Sequence, residues 1–147
     1  MRRSFSGPSW LLLSILLSFL VVAPRAAYSQ SRLSDKDIDT TLKNIQEDTK
    51  QFRDTFNSAL KKSTVRKTSQ EKDARDMIKT FEQQLDSTRH YFKDKHQVGD
   101  HLSALVASRD KIDSFLHSVS LGDQTNSEWG RIKAELDTLA KSFNIGS

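Results

Sequence analysis

The chain contains no cysteine, which removes disulfides, thiolate metal sites, covalent haem attachment and cysteine nucleophiles together. Proline is nearly as scarce. Only Pro8 and Pro24 occur, so nothing after residue 24 carries the residue that breaks helices. No segment after Gln30 shows the alternation of β-branched and polar residues that strands require. The short motifs of catalysis are missing too: no G-x-S-x-G elbow, no glycine-rich phosphate loop and no zinc-protease helix. An enzyme is therefore not expected.

Histidine and methionine are sparse in the same informative way. His90, His96, His101 and His117 include no pair three or four residues apart, and no Glu-x-x-His occurs, so no helix face offers two metal ligands. After Gln30 the one methionine is Met77, whose flexible thioether suits a gap in a core. Exported b-type cytochrome bundles take a Met from their first helix and a His from their last, and this chain supplies neither. No cofactor and no metal are expected.

What is present begins with a leader. Arg2 and Arg3 precede the apolar run Trp10–Ala23, and Ala27-Tyr28-Ser29 places small residues where a signal peptidase reads them. Residues 1–29 are expected to be a cleaved signal peptide. The 14-residue run is shorter than the roughly 20 apolar residues of a membrane span, and Pro24 and Arg25 end it. Arg2-Arg3-Ser4-Phe5 resembles a twin-arginine signal only in part, so the general secretory route is expected. The protein is thus expected to be exported, to the periplasm or beyond the cell, with no membrane span after cleavage.

Removing the leader changes the charge. The chain has 23 basic and 19 acidic residues; Arg2, Arg3 and Arg25 leave with the signal, so 20 face 19 in the remainder. Nucleic acid is not an expected partner, because such binders carry a strong basic surplus. Residues 30–147, 118 in all, fit a single domain.

Within that domain apolar residues recur at spacings of three and four, the mark of helices that bury one stripe. The first stripe (Ile38, Leu42, Ile45, Thr49, Phe52, Phe56, Ala59) is close to a coiled-coil heptad and predicts a helix over about 35–62, with Ser34 as N-cap. Thr68-Ser69-Gln70-Glu71 is a capping box that opens a second helix lined by Ala74, Ile78, Phe81 and Leu85 and ending near Lys95. Asp100 is the expected cap of a third, lined by Leu102, Leu105, Ile112 and Phe115 and stopped by Gly122. A second capping box, Thr125 to Glu128, is expected to open a fourth, lined by Trp129, Ile132, Leu136 and Leu139 and closed by Asn144 and Gly146. The fold class is all-α, expected as an up-down-up-down four-helix bundle, the alternative being helical hairpins that complete a core by dimerising. Over this length the chain resembles the small exported helical-bundle proteins of bacteria, without a motif that transfers function.

Two features stand out from the pattern. Arg109 falls on the apolar seam of the third helix, about level with Thr49 and Gln84. There it must reach water or pair with an acid such as Glu47, Glu82 or Glu135, fixing helix register or lining a polar pocket. The first connection carries Lys61, Lys62, Arg66 and Lys67 with no acid among them. The first two helices are expected to exceed the others by about two turns, so this tip would project as a basic knob carrying Val65. It is either a solvated loop or a contact for lipid phosphates or an acidic protein face. The sequence thus points to an exported non-enzymatic bundle working through protein or envelope contacts, the alternative being a bundle that holds an apolar or haem-like guest.

Overall fold

The structure, a computed structural model, describes residues 32–94 and 98–146. The leader and its cleavage point, read from residues 1–29, lie outside the described residues, as does His96. The described chain is all-helical: α1 (Asp35–Leu60), α2 (Ser69–Lys93), α3 (Val98–Ser118) and α4 (Asp123–Ser142), with no strand among the described residues.

Local chemistry sets the ends. The Ser34 hydroxyl accepts from the Asp37 amide, and Asp35 and Asp37 face the positive end of α1. Thr68 accepts from the Glu71 amide at the start of α2, while Glu71 reaches back to the Lys67 N–H at 2.7 Å, one residue before the cap itself. The box is therefore present with its return bond displaced by one position. At the far end of α4, Asn144 takes the left-handed conformation (φ 56°), Ile145 N–H donates to Ala140 O at 2.8 Å and Asn144 N–H to Lys141 O at 3.1 Å. This double bond pattern is a Schellman closure with asparagine in the glycine position.

Two expected boundaries move. Asp100 lies inside the first turn of α3, which begins at Val98, so it serves the helix dipole instead of capping. α4 begins at Asp123, not at the Thr125 box. Gly122, expected to stop α3, is the N-cap of α4 with φ 91° and makes no side-chain cap bond. Thr125 is buried and donates back to Leu121 O, which leaves Glu128 in the body of the helix.

α1 packs against α2 and α4, and α3 packs against α2 and α4, whereas the backbones of α1 and α3, and of α2 and α4, stay apart. Those diagonals are spanned by aromatic rings. Phe56 meets Phe115 at 5.9 Å across one and Trp129 lies 5.5 Å from Phe81 across the other, while Trp129 also lies 5.1 Å from Phe52 on the neighbouring α1. The stripes read from the sequence are the ones buried, except that Ala59 is only partly buried and Leu60 takes the inner position at the end of α1. Thr49 and Thr88 are buried too, and their hydroxyls donate to Ile45 O and Gln84 O one turn back, so they enter the core satisfied. Met77 is partly buried against this core.

Phe81 is fully buried and touches Trp129 across the centre. Phe81→Ala is expected to cost about 3–5 kcal/mol in urea unfolding, while Lys72→Ala on the exposed face should change stability by less than about 0.5 kcal/mol.

Candidate functional site

The connection between α1 and α2 is a run of tight turns: Ser63 N–H donates to Leu60 O, Arg66 N–H to Ser63 O and Thr68 N–H to Val65 O. Lys67 adopts a left-handed φ of 63° to bring the chain into α2. These turns point Lys61, Lys62, Arg66 and Lys67 outward, where all four are exposed. Val65 points the other way and is buried in the core, so the connection does not present it as the sequence suggested. An apolar residue flanked by turns gains more by covering the end of the core than by facing water. One acid does stand at the base of the cluster. Glu71 bonds Arg75 at 2.6 Å and the Lys67 amide, and these contacts hold its carboxyl below the usual range.

The tip does not project freely. α1 and α2 span 26 and 25 residues against 21 and 20 for α3 and α4, nearer one and a half turns than two. The α3–α4 connection, with Val119 and Leu121 buried, lies beside this last stretch. Between the two connections runs a cleft of about 350 Å³ walled by Ser58, Lys62 and Ser63 on one side and by Ser120 and the start of α4 on the other.

Arg109 sits at the α3–α4 edge, with its side chain 17 % exposed, and its guanidinium bonds Asp137 across the seam and Asp110 beside it at 2.7 Å. The three acids weighed from sequence are elsewhere: Glu82 pairs with Arg53 at 3.0 Å, Glu47 lies by Lys43, and Glu135 is near Asp48 and Arg131. The residue level with Gln84 is Ser108, whose hydroxyl bonds the Gln84 side chain. One position of helix rotation separates the two readings.

Two carboxylates with a buried oxygen have surroundings that the sequence did not place: its pattern makes Glu128 a capping-box residue and Glu135 a candidate partner of Arg109. Glu128 is 5 % exposed; one oxygen accepts from Gln124 (3.0 Å), Thr55 (3.2 Å) and Gln51 (3.4 Å), and the other has no partner. Seven residues on, on the same side of α4, Glu135 also buries an unpartnered oxygen. Burial raises the Glu135 carboxyl above its usual range, facing Asp48 adds to this, and Arg131 opposes it. The one available signal was Glu128 beside Trp129, hidden because the same glutamate completes an apparent capping box.

On the opposite seam, burial pushes the Asp113 carboxyl up, but Lys133 at 2.8 Å and the Trp129 indole N–H at 3.2 Å outweigh it and hold it low. The described histidines stay separate: His90 lies 3.2 Å from Asp94, His101 stacks on Tyr91 at 3.8 Å, and His117 contacts Asp113 O. Among the described residues no three His, Asp or Glu groups stand where they could hold a metal ion, and no helix is long and apolar enough to cross a membrane. No protein-family model, no curated protein and no solved structure matches the chain.

The two shifted acids give opposite pH signatures. Native Glu135 keeps its proton at pH values where the unfolded chain has lost it. Its contribution is complete below the unfolded value and disappears as pH rises through the native one. Asp113, held low, contributes above its unfolded value and loses that contribution as pH falls through the native one. Glu135→Gln should therefore melt a few degrees above the parent at pH 7, with the gap closing toward pH 4. Lys133→Met should melt below the parent at pH 7, and that gap too should narrow in acid as Asp113 protonates.

Proposed function

We propose that the chain is an exported, non-enzymatic up-down-up-down helical bundle that works by contact of its basic end with an anionic face of the cell envelope. The arrangement is supported by the cross-helix pairings. Along α1 and α2, Asp39 meets Arg89, Arg53 meets Glu82 and Asn57 meets Arg75, so one sequence descends as the other ascends. The same reversal holds from Arg109–Asp137 to Asp113–Lys133 in α3 and α4, from Gln84–Ser108 to Tyr91–His101 in α2 and α3, and from Arg32–Phe143 to Thr55–Glu128 between the approach to α1 and the end and start of α4. Export rests on the leader pattern in residues 1–29.

The observation that carries the functional reading is the first connection. Its single apolar residue is folded inward while Lys61, Lys62, Arg66 and Lys67 are all exposed, so what it offers a partner is charge alone. Such a patch suits lipid phosphates, each basic residue near an anionic surface contributing about 1 kcal/mol. The reading of a guest held between the helices has less support, because Phe52, Phe56, Phe81 and Trp129 occupy the middle of the core.

Residues 30–147 are expected to co-sediment with phosphatidylglycerol vesicles and not with phosphatidylcholine vesicles, and to release as salt is raised. Charge reversal at Lys61, Lys62, Arg66 and Lys67 together should weaken the interaction by well over about tenfold. Equal sedimentation of the reversed variant, or none by the parent, overturns the reading.

A further inference from the structure

The four helix contacts are of two kinds. α1 with α4, and α2 with α3, pack extensively, whereas α1–α2 and especially α3–α4 pack thinly. The two thin seams are the ones laced with ion pairs. Arg53–Glu82 (3.0 Å) and Arg89–Asp39 (3.3 Å) cross the first, with Gln46 bridging Asp86 (2.6 Å) and Arg89 (2.5 Å). Arg109–Asp137 and Lys133–Asp113 (2.8 Å) cross the second. The molecule is therefore two close-packed leaves, α1/α4 and α2/α3, held edge to edge by partly exposed charge pairs.

The topology adds a hinge. The two connections that join leaf to leaf, 61–68 and 119–122, lie side by side around one cleft at the basic end. α2 ends and α3 begins, within one leaf, at the opposite end, where Tyr91 stacks on His101 and Arg32 covers Phe143. Among the described residues nothing covalent ties the leaves together there. Aromatic rings from both leaves, Phe56 with Phe115 and Phe81 with Trp129, meet between the middle of the bundle and the hinge.

We propose that, once the basic end has docked, the leaves part at the free end and lay their apolar faces into an anionic phospholipid bilayer. This rests on the envelope-contact reading above. The seam pairs that must break are partly exposed, a class worth at most about 1 kcal/mol each and weakened by salt. Their arginines and lysines exchange carboxylates for lipid phosphates, while the released carboxylates, already partly exposed, turn to water. The apolar faces remain out of water, now against acyl chains, in the way amphipathic helices bind an interface.

The absence of cysteine and the presence of a single tryptophan after Gln30 make a direct test. Gln46→Cys/Asp86→Cys places two thiols across the α1–α2 seam. They are either bridged by a short bismaleimide or separately capped with N-ethylmaleimide. Trp129 is 2 % exposed in the closed form, so brominated phosphatidylglycerol chains reach it only after opening. The capped form should sediment with brominated vesicles and lose about half of its fluorescence or more as its apolar faces enter the acyl layer. The bridged form should sediment equally with little quenching. Equal quenching in both forms, or sedimentation without quenching in either, overturns the opening while leaving the contact reading intact. No sedimentation overturns both.

Discussion

The wedge of Trp129 between Phe52 and Phe81 is the contact around which the rest is arranged. It brings together α4, α1 and α2 at one point, and its indole N–H reaches out of the core to Asp113 on α3. A single side chain thus touches all four helices, three through ring contact or its own backbone and one through a hydrogen bond. Packed aromatic rings gain from area and from tilted geometry, and the buried donor avoids the penalty of going unpaired. The Asp113 carboxylate that satisfies it is in turn neutralised by Lys133, so apolar and ionic parts of the molecule meet at this residue.

Glu128 is the counterpart on the other side of α4. A carboxylate this deeply buried is costly unless hydrogen-bonded, and three neutral donors from α1 and α4 supply one oxygen only. With Glu135 it makes the tightly packed α1–α4 seam the electrostatically strained one, while the thin seams are electrostatically matched. Shape complementarity and charge complementarity are thus divided between different helix pairs.

Most of the helices were legible because apolar spacing at three and four residues is set by geometry that tertiary context cannot alter. Ser34 and Thr68 were legible for a similar reason: a hydroxyl at the first turn has a local partner whatever surrounds it. The start of α4 was not legible. Gly122 suits either side of a helix boundary, and Thr125 to Glu128 has a capping-box spelling although both residues are in the helix body. Burial decided that case, and burial is not local. Arg109 shows the same limit, since Ser108 faces Gln84 while Arg109 turns outward to Asp137, a difference of about 100° in helix rotation that spacing alone does not resolve. The basic connection was visible as composition, but the inward turn of Val65 depends on where the core ends.

Arg32 lies over the Phe143 ring at 5.0 Å, so the two described ends of the chain share one pole and the lysine-bearing connection occupies the other. Anything tethered through either described end, whether a resin bead, a fused domain or a neighbouring molecule in an array, would hold the protein by its foot. Its cations would then stand outward like the bristles of a brush, with orientation supplied by the path of the chain and no dedicated anchor required.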